Sequence, residues 1–232
     1  MKLALLGYGR MGKAIEKIAL ERGHHIICKI DKDHFEGALE EADVAVNFSV
    51  PDAAVENINK ALNQSIPVIC GTTGWLDAYD QVTRNVIEND TAFIYASNFS
   101  VGVNVFFKLN KILAKMMCYK NDYKVSIEET HHIHKLDAPS GTALTLAEGI
   151  IENSDLTSWK LQGDEKDTVS IKSLREGEVP GTHNVKYKSY IDEITIKHKA
   201  HNREGFALGA VIASEWIADK KGIFKMDDVL NL

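Results

Sequence analysis

With 232 residues the chain has room for one or two domains and is long enough to bury a sizeable core. Hydrophobic residues at 44% and charged residues at 26% exclude a disordered chain, and 16 Gly with 4 Pro exclude collagen-like and low-complexity sequence. Acidic residues outnumber basic ones by 33 to 27, a formal net of -6, so no positive excess points to nucleic acid or an anionic membrane as partner.

Cys28, Cys70 and Cys118 lie far apart with no CxxC, which argues against a disulfide framework or a cysteine-rich zinc module and for a reducing compartment. The opening apolar run is too short for a signal peptide, and the apolar tract 206–213 is too short to span a bilayer. A cytoplasmic protein is the expectation. Residues 2–6 read as a buried parallel strand that ends at a glycine-rich turn. Met11, Ala14, Ile15, Ile18 and Ala19 recur at helical spacing, and Gly23 supplies a stop. Further strands are expected over 25–30, 44–48, 67–70 and 92–95. Helices are expected over 51–62, with a proline in the first turn, and over 78–88. Alternating strands and helices mean βαβ units and a parallel sheet.

The alternation stops near Asn98. A helix over 103–118 carries Val103, Phe106, Phe107, Leu109, Ile112, Leu113, Met116 and Met117 on a wide apolar face, read as core. Residues 124–129 alternate as a half-buried strand. The polar stretch 153–198 holds scattered strands, 185–188 and 193–196 among them, which reads as an antiparallel or mixed sheet with one wet face. Residues 206–218 form a final helix. The expected class is therefore α/β. An N-terminal Rossmann dinucleotide-binding domain covers 1–99 and is completed by 204–232; a C-terminal α+β domain with a mixed sheet covers 100–203.

Gly7-Tyr8-Gly9-Arg10-Met11-Gly12 matches GxGxxG, follows a buried strand, opens a helix and precedes Asp31 at the end of the next strand. Gly7 permits the tight turn, Gly9 lets a pyrophosphate approach the backbone, and Gly12 lets helix and strand pack closely. The helix start then offers free N–H groups and a positive dipole end to phosphates. Asp31 is placed to accept hydrogen bonds from ribose hydroxyls, with Lys32 beside it as a partner for a 2′-phosphate; a solvated turn residue is the alternative for Asp31. Phe48-Ser49, Gly71-Thr72-Thr73 and Ala96-Ser97-Asn98-Phe99 leave the same carboxyl edge of the sheet and should line the cofactor groove. The expected cofactors are NADH and/or NADPH.

Residues 128–142, Glu-Glu-Thr-His-His-Ile-His-Lys-Leu-Asp-Ala-Pro-Ser-Gly-Thr, hold the densest chemistry. His131, His132, His134 and Lys135 fall within five residues on what reads as a loop after a strand. Ser140, Gly141 and Thr142 open a helix whose amides and hydroxyls make an anion site. Proton donors, positive charge and an amide nest together suit a small substrate with carboxylates. A metal is not expected: the histidines are not spaced as HExxH, and Lys135 would repel a cation.

Glu-x-x-His-His-x-x-Lys-x-Asp-Ala-Pro-Ser-Gly-Thr-Ala resembles the signature of the 4-hydroxy-tetrahydrodipicolinate (dihydrodipicolinate) reductase family. The Gly-x-Gly-Arg-Met-Gly turn, Gly71-Thr72-Thr73-Gly74, Asn98-Phe99-Ser100-Val101-Gly102 and the C-terminal stretch through Arg203 to Phe224 also resemble it. The glycine loop is one residue shorter than that of many members. The resemblance implies a homotetrameric two-domain reductase of lysine and diaminopimelate biosynthesis, with NAD(P)H on the first domain and a cyclic dicarboxylate substrate on the second, which also builds the tetramer. By motif position it implies His131 as proton donor and Lys135 as a second donor, with His132, Ser140, Gly141 and Thr142 on substrate carboxylates. It places Arg203 among the cofactor residues. Two rivals stand beside it. A semialdehyde dehydrogenase would need a nucleophilic cysteine, and a nucleotide-sensing module would need no histidine-lysine cluster.

Overall fold

Leu3 to Leu6 have no exposed surface, as a central strand covered on both faces requires, and they form most of β1 (Lys2–Leu6) in the computed structural model. The structure describes every residue except 33, 121, 164 and 203. After β1 come α1 (Arg10–Glu21), β2 (His25–Asp31), β3 (His34–Gly37), β4 (Val44–Asn47), α2 (Pro51–Leu62), β5 (Val68–Cys70), α3 (Tyr79–Glu88) and β6 (Ala92–Tyr95). Then follow α4 (Val101–Met117), β7 (Lys124–His131), α5 (Gly141–Ile151), β8 (Ser158–Leu161), β9 (Thr168–Arg175), β10 (Thr182–Lys188) and β11 (Glu193–Lys199). The chain ends with α6 (Glu204–Ile217), β12 (Gly222–Phe224) and α7 (Met226–Leu230). Contacts divide it into two units, Met1–Val101 with Glu204–Leu232, and Gly102–Arg203.

The first unit is built on a seven-stranded sheet ordered β12-β6-β5-β4-β1-β2-β3, parallel except that β3 pairs antiparallel with β2. Strand alternation divides its core. Leu3, Leu5, Val44, Val46, Ile69 and Ile94 face α1 and α6, whereas Ala4, Leu6, Ala45, Val68, Cys70 and Phe93 face α2 and α3. β1 lies between β2 and β4, so the strand order reverses at its carboxyl end, where ligands bind in sheets of this kind. The second unit holds a mixed sheet, β11-β10-β7-β9-β8, with β7 parallel to β9 and antiparallel to β10. Ile127, Val169, Ile171, Val185 and Tyr187 pack from one sheet face against Ala143, Leu146, Ala147 and Ile150 of α5. No described helix is long and apolar enough to cross a membrane.

One expectation needs correction, and several elements go beyond what was expected. Strand β3 was not anticipated, because all four of its residues are exposed and burial leaves no alternating pattern to read. Strands β8, β9 and β12 and helix α7 were likewise not resolved from sequence. The apolar face of α4 is core only in part. Val103 and Phe106 are buried, but Leu109, Ile112 and Met116 are 50, 48 and 68% exposed. A single helix can bury one stripe against its own unit, and these three lie on another.

Candidate active site

The glycine turn has the backbone the motif demands. Gly7 adopts φ +100, and an added Cβ would sit 2.3 Å from the Phe48 carbonyl oxygen. At Gly12 an added Cβ would come 2.4 Å from the Gly7 carbonyl oxygen, so only glycine lets α1 start this close to the turn. Gly9 is exposed, and the space around its missing side chain is open. Among the described residues no side chain caps the first turn of α1, and no acidic residue sits in that turn, which leaves its amides to an anion. Phe48 and Gly71 adjoin, since a Cβ on Gly71 would meet the Phe48 ring at 2.2 Å. The Phe48 and Phe99 rings lie 5.6 Å apart. The Ser49 amide donates to Thr72 Oγ1 at 2.8 Å, and Trp75 Nε1 donates to the Thr72 carbonyl at 2.7 Å. Met11, Phe48, Ser49, Pro51, Gly71, Thr72 and Thr73 line a cavity of about 260 Å³. Tyr8 and Met11 are half-buried; Arg10 and Ser97 are exposed, and Ala96 packs at the edge of the core. The Asn98 side chain accepts the Ser100 amide at 2.9 Å.

Asp31, the last residue of β2, stands opposite His34 in a tight hairpin. Its carboxylate accepts the Lys32 amide at 2.9 Å, and both residues are exposed. Arg203 lies outside the described residues. Cys70 is fully buried, which pushes its thiol up to about 11, so this cysteine is not the nucleophile that the dehydrogenase rival needs.

In the second unit, His131 is the last residue of β7 rather than a loop residue, and it is buried. His132 follows, half-buried, with its ring 6.0 Å from that of His134. Lys135 donates to both oxygens of Asp137 at 2.7 Å. Burial would raise the Asp137 carboxyl, but the Lys135 ammonium holds it below its usual value. His134 instead pairs with Glu178 at 3.1 Å on the surface. Ser140 caps α5, and its hydroxyl accepts the Ala143 amide at 3.2 Å. The Ser140 amide donates to Glu129 Oε1 at 3.0 Å, so amide and hydroxyl are both engaged within the protein. Gly141 is exposed and Thr142 half-buried at the open end of the helix.

Sequence reasoning did not single out His183, Ser173 or Arg175. Strand register brings them in. His183 on β10 and Ser173 on β9 stand on either side of Glu129, and Arg175 stands beside His131. The His183 and His131 rings are 5.0 Å apart, and His183 Nε2 is 3.2 Å from Ser140 Oγ. Arg175 donates from Nε to the Lys135 carbonyl at 3.1 Å and from its terminal nitrogen to the Asp137 carbonyl, which clamps the loop that carries Lys135. Burial alone would raise the Glu129 carboxyl, but His131, His183, the Ser140 amide and the Ser173 hydroxyl hold it well below the usual carboxylate range. Burial lowers His183, which favours its neutral form. Donor atoms of Glu129, His131 and His183 come within 4.8 Å of one another. The Arg175 guanidinium, 3.5 Å from Glu129 Oε1, already supplies counter-charge there. A cavity of this unit, about 690 Å³, is lined by other residues, among them Met117, Cys118, Leu156 and Tyr187.

The family described as dihydrodipicolinate reductase, N-terminus, matches residues 1–99, and dihydrodipicolinate reductase, C-terminus, matches residues 102–230. A 4-hydroxy-tetrahydrodipicolinate reductase of Christiangramia forsetii is 55% identical over 234 residues, covering 100% of this chain and 98% of that protein. Another, from Methanocaldococcus jannaschii, is 37% identical over 211 residues, covering 86% of this chain and 76% of that protein. The structure of a dipicolinate-bound dihydrodipicolinate reductase from Paenisporosarcina sp. TG-14 superposes with a TM-score of 0.81 at 23% identity over 97% of both chains, a likeness of fold. With both halves matched in order and more than half of its residues shared with one relative, the chain belongs to the dihydrodipicolinate reductase family, NAD(P)H-dependent reductases of 4-hydroxy-tetrahydrodipicolinate.

Proposed function

We propose that this chain reduces 4-hydroxy-tetrahydrodipicolinate to tetrahydrodipicolinate with His131 as the proton donor and Lys135 as a second donor that stabilises developing negative charge. The observation that carries the assignment is the buried Glu129–His131–His183 cluster beside the Lys135 loop, in a chain whose family performs this reaction. NAD(P)H supplies the hydride when bound. Gly7, Gly9 and Gly12 bring backbone close to the pyrophosphate, and the amides of Arg10 and Met11 at the uncapped start of α1 complete its cradle. Tyr8, Asp31 and Lys32 serve the adenosine end; Phe48, Gly71, Thr72, Thr73, Ala96, Ser97, Asn98 and Phe99 serve the rest of the groove. Loss of the 4-hydroxyl as water gives a conjugated ring, and hydride addition to that ring leaves negative charge on it. An imidazolium quenches it by proton transfer, and a lysine ammonium lowers its energy before the proton arrives. His132, Gly141 and Thr142 bind substrate carboxylates, with Ser140 fixing the helix start that presents them. A cyclic dicarboxylate is the substrate class this site fits, and the fold relative was solved with dipicolinate bound. We further propose a cytoplasmic homotetramer; three free thiols are in keeping with a reducing compartment.

The test is loss of NAD(P)H absorbance with the freshly made condensation product of aspartate semialdehyde and pyruvate. His131→Gln and Lys135→Ala should each lower kcat by roughly 100-fold or more, while KM for the cofactor barely moves. Near-native kcat in both variants would remove the assignment. Dipicolinate should compete with substrate, and no competition at millimolar concentration would count against the carboxylate site.

A further inference from the structure

Glu129 is fully buried two residues before His131 on β7, so the two side chains share one face of the sheet. An ionised carboxylate without solvent is costly unless every oxygen has a partner. The two oxygens of Glu129 are divided between two tasks. Oε1 accepts the Ser140 amide at 3.0 Å and the Ser173 hydroxyl at 2.7 Å, with Arg175 at 3.5 Å. Oε2 lies 3.3 Å from His131 Nδ1 and 3.6 Å from His183 Nε2, in ion-pair range but without hydrogen-bond geometry to either. One carboxylate thus touches both the proton donor and the residue that starts the substrate-binding helix. The other ring nitrogen of His131, Nε2, faces Gly181, where an added Cβ would stand only 3.1 Å away. Glycine there puts no side chain of its own against that edge of the ring.

We infer that Glu129 is a positioning residue for the reduction: its Oε2, 3.3 Å from His131 Nδ1, sets a negative charge at that edge of the ring and favours the proton on Nδ1 in the neutral form, so that the proton delivered to substrate leaves from Nε2, while its Oε1 ties the start of α5 to the same carboxylate. This rests on His131 being the donor. The proton balance is simple. The imidazolium gives up its Nε2 proton, the neutral ring keeps Nδ1–H toward Glu129, Glu129 stays ionised throughout, and solvent restores Nε2–H. The charged and titratable groups around the ring are Glu129 on its own strand, Arg175 from β9, His183 from β10, His198 behind His183 on β11, and the Lys135–Asp137 pair from the following loop. The last two offset each other, and the Arg175 guanidinium is turned toward the Lys135 and Asp137 carbonyls. Glu129 is therefore the carboxylate that stands at the Nδ1 edge of the ring.

The experiment is Glu129→Gln in the full-length enzyme, read as kcat/KM against pH beside Glu129→Asp and His131→Gln. With the negative charge gone, the high-pH limb of the profile should move to lower pH. In Glu129→Gln kcat should fall by roughly 10- to 100-fold, with KM for NADH within about twofold of native. Glu129→Asp should restore the position of the limb. A lowered melting temperature with an unmoved limb would mean that Glu129 only holds the fold together, and the inference fails. His131→Gln separates the two readings. If it keeps native kcat, the donor assignment falls; if it is inactive while Glu129→Gln keeps both kcat and limb, only the inference falls. Should Glu129→Gln not fold, 15N NMR of the native enzyme decides: a neutral His131 protonated on Nδ1 supports the inference, and one protonated on Nε2 overturns it.

Discussion

We propose that two neighbouring residues, Asp31 and Lys32, set which nicotinamide cofactor is favoured. Asp31 closes the hairpin between β2 and β3, with its carboxylate on the Lys32 amide. In that place it can accept ribose hydroxyls, and it repels a 2′-phosphate. Lys32 follows directly and is exposed, so it can pair with the same phosphate and offset the repulsion. Both cofactors should therefore work, with a preference for NADH of roughly tenfold or less, about 1.4 kcal/mol. Lys32→Ala should weaken NADPH selectively, and more so at low salt, because the contact is an exposed ion pair. Asp31→Ala should weaken NADH and spare NADPH. The measurement is KM for each cofactor in the three proteins. An unchanged NADH value in Asp31→Ala would make Asp31 a turn residue only. The motif positions of both residues were legible in the sequence, but the hairpin was not, because β3 has no buried side to announce it.

At the scale of elements, α6 shows how a late segment is seated in the first unit. It packs beside α1, and Glu215 near its end receives Arg22 at 2.8 and 2.7 Å and His24 at 2.7 Å. Two glycines on this helix make a controlled comparison. At Gly209 an added Cβ would stand 1.7 Å from the Phe99 carbonyl oxygen, whereas at Gly205 it would stand 3.4 Å from Ser100 Oγ. Alanine has the better helix propensity by roughly 1 kcal/mol at either place. A backbone collision outweighs that gain, and overpacking of this kind costs about 1–3 kcal/mol or more. Gly209→Ala should therefore lower Tm by several degrees, while Gly205→Ala stays within about two degrees of native. Calorimetry on both reads the difference, and an equal Tm for the two would show that α6 does not rest on the Phe99 backbone. The existence of α6 was plain from its apolar stripe, and the alternating strands and helices of the first unit were plain from their two periods. The site in the second unit was legible only along the chain. His131, Lys135 and the Ser140 turn are contiguous with one another, but His183, Ser173 and Arg175 join them through strand pairing, which a single sequence does not display. His183 sits among polar residues, and nothing local marks it as the partner of a carboxylate 54 positions earlier.

For the whole molecule the proposed homotetramer has to be built from surfaces the chain exposes. The exposed apolar side chains of the first unit, such as Leu20, Phe35 and Ile87, are spread over α1, β3 and α3, which is ordinary for a protein surface. The second unit is different. Tyr190 and Ile191 stand fully open at the tip of the β10–β11 hairpin, at 104 and 87% exposure, and Leu109, Ile112 and Met116 line the outer side of α4. A formal net charge of -6 spread over 232 residues resists association only weakly at physiological salt, where exposed charges are screened beyond about 8 Å. Burying the hairpin tip against another copy would remove two large side chains from water, a gain of roughly 1.5–3 kcal/mol for each one fully covered. Light scattering of the native enzyme at micromolar concentration should therefore give about four times 25.8 kDa. The double variant Tyr190→Ser, Ile191→Asp should shift the mass toward smaller species without lowering the content of folded secondary structure. A native mass of one chain would end the tetramer proposal. A tetramer that survives the double variant would place the interface on another surface, with the outer side of α4 as the next place to introduce a charge.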